Sequence, residues 1–363
     1  MFDRSDIQAA IEAGALSNDQ AARFTAFLKA RNDPERMLDP ENLRFLSNFN
    51  DVFLTIGIAV LMTGITFLSS QVFLNIFGED QMKMAILLIP VPVLASAWAL
   101  AEYFCGRRRL LLPSMALSFV IVYSAAAIVA VAFMPNGQSD NLFSDDFGNQ
   151  IASVAFAGFG AAAAAALAVF FRFRLPFSLF LLALSVAGLF YTAIARFADG
   201  DLIFGGVATL TVGLATLAAA IIFDMRDPLR ASRNSDNAFW LHMAAAPQIM
   251  FGLRGLILGS GFAPAGMADA AIMLSVLIAF GLLSLALNRR ALIVSGLLSF
   301  AASLWVLVDK VGGGGLNTVM LTALIVGASI VLLGGGWKTA RRGILKLIPS
   351  GGVSGRIFPP EPA

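Results

Sequence analysis

Long apolar segments, separated by short polar connections, run through most of the chain. A membrane core about 30 Å thick needs roughly 20 apolar residues in helical conformation to cross it. The segments are apolar on every face rather than alternating, which favours helices over the strands of a barrel. The pattern predicts an all-α polytopic transmembrane helix bundle of about ten spans, at 52–74, 84–104, 111–134, 151–171, 175–195, 202–223, 238–258, 269–287, 291–308 and 317–334.

Composition agrees with this pattern and excludes other classes. Of 363 residues, 58% are hydrophobic and 13% are charged, against roughly 25% charged in a typical soluble protein. The mean hydropathy is +0.81. A water-soluble globular enzyme is therefore excluded. The single cysteine, Cys105, permits no internal disulfide, and the single histidine, His242, permits no histidine-rich metal site. We expect neither a metal ion nor a cofactor.

The basic residues predict the orientation of the bundle. If the N-terminus faces the cytoplasm, 21 of the 25 Lys and Arg residues lie on the cytoplasmic side of the ten spans. Cytoplasmic loops of membrane proteins carry such an excess of positive charge. One missed or additional span in the middle would move basic connections to the opposite side and remove this excess of positive charge. Both termini are therefore predicted to be cytoplasmic. The four remaining cations are Lys83, Arg196, Arg254 and Lys310.

Three regions are predicted along the chain: a cytoplasmic helical leader at 1–50, the bundle at 51–336, and a basic segment with a disordered tail at 337–363. In the leader, Ser17 followed by Gln20 predicts a capping box at the start of a helix. The leader is too short to fold alone, so it should dock on the membrane surface, a cytoplasmic hairpin or a protein partner.

The C-terminal segment is predicted to bind anionic lipids. After three glycines at 334–336, cations alternate with apolar residues, a pattern typical of a helix lying on an anionic membrane surface. The cations are Lys338, Arg341, Arg342 and Lys346. Basic residues are otherwise spread over the loops, so nucleic-acid binding has no support.

The span 238–258 contains the candidate binding residues. His242 lies six residues past Asp236, about 9 Å along the helix axis, and Pro247 removes an amide hydrogen and frees a carbonyl near the histidine. Gln248 adds an amide near mid-membrane, and Trp240 lies near the interface. These four residues could line a proton or solute pathway. Alternatively, His242 bonds a neighbouring loop and Pro247 only bends the helix.

Catalytic and ligand-binding sites outside the span 238–258 have weaker support in the sequence. Glu102 lies beside Arg107–Arg109, which predicts an ion pair at the interface. No Ser, His and carboxylate are brought to one depth, so no catalytic residue is assigned and the sequence does not favour an enzyme. The glycines at 312–315 are not followed by the Lys that a phosphate-binding loop requires.

Three basic turns that lead into Ser-containing apolar spans suggest helix hairpins repeated along the chain. They are RRRLLLPSMALSF from Arg107, RFRLPFSLFLLALS from Arg172 and RRALIVSGLLSF from Arg289. A competing arrangement of five plus five inverted spans would make the second span, interrupted by Pro90 and Pro92, equivalent to the seventh. The sequence leaves both open.

The stretches AIEAGALSNDQAARF, WALAEYFCGRRRLLLPS and DNAFWLHMAAAP resemble segments of uncharacterised multi-pass bacterial inner-membrane proteins that have a short helical-hairpin leader. The resemblance implies location in the bacterial cytoplasmic membrane and brings no activity with it. Two hypotheses follow: a transporter or permease-like protein with span 238–258 lining a pathway, or a non-transporting scaffold or envelope-maintenance protein that docks a cytoplasmic partner through its leader. Self-association is also open.

Overall fold

The structure, a computed structural model, describes Ser17, Gln20 and Phe358 together with 49–79, 81–135, 145–197, 202–227, 232–258, 266–289, 291–312 and 315–347. Throughout this part of the chain the segments are helical and no strand occurs. The all-α prediction is thereby confirmed. Most of the leader, the outer part of the loop at 136–144 and nearly all of the tail after residue 347 lie outside the described residues.

Helices occupy all ten predicted span positions. They are α1 (Phe49–Phe77), α2 (Met82–Leu88), α3 (Pro90–Ala101), α4 (Leu111–Phe133), α5 (Asp145–Phe173), α6 (Phe177–Phe197), α7 (Leu202–Arg226), α8 (Arg233–Leu258), α9 (Met267–Leu287), α10 (Ala291–Gly312) and α11 (Leu316–Leu345). A π-helical segment, Glu102–Arg108, continues α3. Because α2, α3 and this segment follow one another directly, they form one predicted span.

Eight helical segments in the described residues are long and apolar enough to cross a membrane. Seven of them fall on α1, α4, α5, α6, α7, α9 and α11, and the eighth is the composite segment Met82–Arg108. The helices α8 and α10 occupy the other two predicted positions but are not among the eight. His242, Gln248 and Arg254 interrupt the apolar character of α8.

Side-chain contacts place four helix connections at one end of the bundle, which we call the basic end. A bidentate ion pair joins Glu102, before α4, to Arg172, before α6. The Phe177 ring at the start of α6 lies 4.8 Å from the Trp240 ring near the start of α8. Asp224, before α8, pairs with Arg289, before α10. The connections of the described helices therefore alternate between the two ends of the bundle.

Three of these connections share one local geometry. Each contains a non-glycine residue in the left-handed region, Arg109 (φ 55°), Arg174 (φ 55°) and Asn288 (φ 54°). The carbonyl of the following residue accepts a hydrogen bond from a buried serine hydroxyl, in the pairs Leu110–Ser114, Leu175–Ser178 and Arg289–Ser284. The serine follows the turn in the first two connections and precedes it in the third, so the contact is not a strict repeat and the hairpin repeat stays a prediction.

Two expectations differ from the structure. The glycines at 334–336 do not end the last span, because α11 continues through them to Leu345. Glycine weakens a helix by only about 1 kcal/mol relative to alanine. Buried Trp337 donates a hydrogen bond from Nε1 to Oδ1 of Asn288 at 2.9 Å and holds the continued turn against the bundle. Glu102 does form an ion pair, but with Arg172 rather than with Arg107–Arg109.

The predicted capping box is confirmed. The backbone N–H of Ser17 donates to Oε1 of Gln20 at 3.0 Å, and the backbone N–H of Gln20 donates to Oγ of Ser17 at 3.2 Å. These reciprocal bonds satisfy two backbone donors at a helix start.

Candidate functional site

The helices α7 and α8 make the most extensive contact between any two helices of the described chain. Glycines allow their backbones to approach closely. A Cβ atom added to Gly252 would lie 2.5 Å from the backbone nitrogen of Leu210, and one added to Gly213 would lie 2.8 Å from that of Ile249. Small residues provide such contacts where lipid supplies no hydrophobic drive between helices. At these levels the interface has no room for a solute.

A buried polar cluster, which we call the Asp–His–Arg cluster, lies at the basic end of this helix pair. It consists of Asp224, His242 and Arg289. His242 is completely buried, and its Nε2 lies 2.8 Å from Oδ2 of Asp224, whose side chain is 14% exposed. Because an ionised carboxylate only accepts, the hydrogen of this bond lies on Nε2.

Arg289 reaches the same carboxylate from the α9–α10 turn. Its guanidinium donates from Nε to Oδ2 of Asp224 at 3.2 Å and from Nη2 to Oδ1. Nη2 also lies 3.4 Å from Oγ and 3.5 Å from the carbonyl oxygen of Ser235 on α8. The Arg289 side chain is only 1% exposed. One carboxylate therefore holds three elements together: the end of α7, the start of α8 and the turn before α10.

The backbone of the α9–α10 turn directs Arg289 inward. The Arg289 N–H donates to the carbonyl of Ser284 at 3.0 Å, while the Ser284 hydroxyl donates to the carbonyl of Arg289. In the two other turns of this geometry, the equivalent positions are Leu110 and Leu175. Arg289 thus occupies a position that is otherwise apolar, and it brings a positive charge into the bundle.

Sequence reasoning singled out His242 but missed both of its partners in the cluster. Arg289 was interpreted only as a loop cation, and Asp224 lies one residue beyond the predicted span 202–223. A signal for Asp224 was present, because Asp224 and His242 lie at equal distances along the sequence from residue 233. An antiparallel helix pair that turns there brings the two side chains to the same level. Nothing comparable marks Arg289, which is 65 residues from Asp224.

Gln248 forms a second polar contact, deeper in the bundle. Its Oε1 accepts a hydrogen bond from the Thr216 hydroxyl at 3.2 Å, and its Nε2 donates to the carbonyl of Ala183 at 3.1 Å. The amide therefore joins α6, α7 and α8. Gln248 is six residues from His242, or about 9 Å along the helix axis, so the two residues belong to separate contacts.

The other two candidate residues lie outside both contacts. Trp240 belongs to an aromatic cluster between α8 and the start of α6, with ring centroids 4.8 Å from Phe177, 5.7 Å from Phe180 and 5.2 Å from Phe239. Pro247 lies inside α8, which continues through it. The four sequence-predicted residues do not converge on one point.

A separate cavity of about 430 Å³ lies between α9, α10 and α11, and its lining includes none of the four candidate residues. Within the described part of the chain, no three His, Cys, Asp or Glu side chains form a group that could hold a metal ion. The Asp–His–Arg cluster instead combines an imidazole, the side-chain type that proteins most often use to accept and donate protons, with a carboxylate that also pairs with an arginine.

Comparisons of this chain with protein-family models, with curated proteins and with solved structures find no match. The functional inference therefore depends on the site itself, a completely buried histidine and a buried arginine that share one carboxylate.

Proposed function

We propose that the chain is a ten-span integral protein of the bacterial cytoplasmic membrane with both termini in the cytoplasm. Eight apolar helices support membrane insertion. The helices α8 and α10 at the remaining predicted positions, together with the alternating connections, support ten spans. Of the 14 Lys and Arg residues between positions 52 and 334, ten belong to the four connections at the basic end or lie beside them, which supports the cytoplasmic location of that end.

The activity that we propose is proton-linked transport, with the Asp–His–Arg cluster as the proton-binding site on α8. The observation that carries this proposal is the burial of His242 at 2.8 Å from a carboxylate that also pairs with Arg289. Ionisable groups inside a membrane are costly, and they typically mark proton or substrate pathways. Gln248 and Thr216 form a second, separate polar contact between the same two helices, about 9 Å from His242 along α8.

Proton uptake at His242 supplies a switch between two arrangements. An imidazolium competes with Arg289 for the Asp224 carboxylate, and stronger attraction to His242 weakens the bond that holds the α9–α10 turn to α7. Loss of the proton restores the arrangement described above. The close α7–α8 contact at Gly213 and Gly252 leaves no room for a solute between these two helices, so the solute path of this proposal lies along other faces of α8.

Charge displacement after a rapid pH change tests this function without knowledge of the substrate. The purified protein is reconstituted in liposomes on a solid-supported membrane, and the transient current after a pH step is recorded. We expect a current with the unmodified protein and its loss with His242→Gln. Glu102→Gln, which removes an exposed carboxylate, is the control and should leave the current unchanged. Equal currents with and without His242 would contradict the proposal.

The second candidate is a non-transporting scaffold that docks a cytoplasmic partner through its leader. The reciprocal bonds of Ser17 and Gln20 favour it, because they start a helix in the leader at the predicted position. Deletion of residues 1–48 should then abolish co-purification of the partner while the bundle remains inserted. In the transport proposal, the same deletion leaves the pH-step current in place.

A further inference from the structure

Arg254, near the end of α8, is a cation that the proposed proton-binding cluster does not use. Two of its nitrogens, Nε and Nη2, are buried, and neither has a hydrogen-bond partner in the described part of the chain. Buried polar groups in native proteins are nearly always bonded, and an unpaired buried charge is unfavourable. Ionisable side chains inside a membrane-spanning helix typically mark a functional site. The guanidinium of Arg254 therefore lacks an acceptor that its surroundings call for.

The two unbonded nitrogens are the ones with which other arginines of this bundle bind carboxylates. Arg172 donates from Nε to Oε1 of Glu102 at 2.9 Å and from Nη2 to Oε2 at 2.6 Å. Arg289 donates from Nε to Oδ2 of Asp224 and from Nη2 to Oδ1. These two N–H groups form a planar fork that matches the paired oxygens of a carboxylate or phosphate. Arg254 presents the same fork without a carboxylate partner among the described residues.

The Arg254 side chain lies on the face of α8 that is turned away from α7. Successive helix residues are about 100° apart, so Arg254 is about 200° from Gly252, where an added Cβ atom would meet Leu210 of α7. By the same geometry Pro247 lies within about 20° of Arg254. Met250, one turn before Arg254, is buried, so this face is covered at that level. The fork is therefore on a side of α8 that the close α7–α8 contact does not block.

Arg254 and the Asp–His–Arg cluster occupy opposite parts of α8. Arg254 follows His242 by about 18 Å along the helix axis and precedes Leu258, the last residue of α8, by about 6 Å. Because α8 starts at the basic end, Arg254 lies toward the other end of the bundle. A ligand at Arg254 thus leaves the proton-binding cluster undisturbed.

We propose that the Nε–Nη2 fork of Arg254 binds the oxyanion group, a carboxylate or phosphate, of a small solute, and that this anion is the substrate that moves with the proton. The substrate assignment rests on the proposed proton-linked transport, whereas the binding of the anion does not. A guanidinium stays charged in proteins, so it binds an anion whether or not His242 is protonated. A singly charged anion that crosses with one proton carries no net charge, which lowers the electrostatic cost of its passage.

Thermal unfolding of the purified full chain in lipid-free detergent tests the binding. Acetate or inorganic phosphate, the two probes, replaces chloride at constant ionic strength. A ligand that binds the folded state raises the unfolding temperature as its concentration increases. We expect this rise with the unmodified protein and its loss with Arg254→Gln. Arg254→Lys keeps the charge but lacks the fork, so it should bind the same anion about tenfold more weakly.

Arg172→Gln is the matched control, because the fork of Arg172 is already occupied by Glu102. This variant should respond to the anions as the unmodified protein does. If the unmodified protein responds to neither anion, or if Arg254→Gln responds equally, the proposal is overturned.

A carboxylate of this chain outside the described residues, Asp199 or Asp201 in the α6–α7 connection, is the alternative partner of Arg254. Without added anion, removal of an unpaired buried cation should leave the unfolding temperature of Arg254→Gln unchanged or higher. A lower unfolding temperature, matched by that of Asp199→Asn or Asp201→Asn, shows an internal ion pair and overturns the proposal.

Phosphatidylglycerol, added in place of the free anions, distinguishes a lipid phosphate from a solute. Stabilisation by this lipid and by neither free anion overturns the solute assignment. The pH-step current separates this inference from the proposed function. A current without any response to the anions overturns the anion site and leaves proton-linked transport standing. A response to the anions without a current overturns the substrate assignment and leaves an anion-binding site.

Discussion

Two ion pairs at the basic end join the same kinds of residue in different surroundings. Arg172 and Glu102 form a bidentate pair whose side chains are 57% and 36% exposed. Arg289 and Asp224 form a pair whose side chains are 1% and 14% exposed. Arg172 lies in the last turn of α5, two residues before the left-handed Arg174, and Arg289 directly follows the left-handed Asn288. The difference shows that an arginine predicted to lie in a loop can form a solvent-exposed ion pair or can be buried between helices.

The energetic roles of the two pairs differ for a physical reason. Water screens an exposed pair, which contributes about 0–1 kcal/mol. In a buried pair, removal of one partner leaves an uncompensated charge that water cannot reach, and the cost rises to about 3–5 kcal/mol. His242 adds a further contact to the buried pair, whereas the guanidinium of Arg172 lies over the exposed face of Phe173 at 5.6 Å.

The largest effect is expected from Asp224→Asn. This change removes the negative charge and leaves Arg289 buried without a counter-charge, so the free energy of unfolding should fall by about 3–5 kcal/mol. Equilibrium unfolding of the purified protein in detergent measures the loss. The paired variant Asp224→Leu with Arg289→Leu removes both charges and restores the apolar residue found in the other two turns. It should be more stable than Asp224→Asn; a less stable double variant would show that the cluster is not held by charge balance.

A smaller loss is expected when the close helix contact that buries the cluster is opened. Gly252→Leu places side-chain atoms against the backbone of Leu210, and overpacking of this kind costs about 1–3 kcal/mol. The same unfolding measurement on Gly327→Leu, where an added Cβ meets open space, provides the control. If both variants lose equal stability, the proximity of α7 and α8 is not what stabilises the bundle.

Gln248→Leu tests a buried polar contact without charge in the same helix pair. It removes two hydrogen bonds that join α6, α7 and α8. Hydrogen bonds between membrane helices average about 0.6 kcal/mol, so we expect a loss of about 1 kcal/mol. A loss as large as that of Asp224→Asn would mean that burial rather than charge distinguishes the two ion pairs.

The smallest effect is expected from Glu102→Gln. This change breaks the exposed pair with Arg172, and the unfolding free energy should fall by no more than about 1 kcal/mol. The difference from the unmodified protein should shrink further as the salt concentration rises, because ions screen exposed charges. A loss that is large and independent of salt would remove the contrast between the two turns.

The helices and their order were predictable because membrane burial depends on local composition. A stretch of about 20 apolar residues such as 111–134 has few alternatives to a helix in lipid, and α4 covers that prediction almost residue for residue. The capping box of Ser17 and Gln20 was predictable for the same reason, since both partners lie within one turn. Because consecutive spans cross the membrane in opposite directions, every second connection lies on the same side, and the positions of the basic connections were predictable as well.

The polar contacts and the cavity of this bundle depend on residues that are far apart in the sequence. Arg289 looks like any other cation in a turn until the fold places it against Asp224, 65 residues away. The same holds for Gln248, whose partners are on two other helices, and for the cavity between α9, α10 and α11. Local composition determines which segments form helices. Which faces of these helices contact one another depends on the packing of all the helices, and no local sequence pattern predicts that packing.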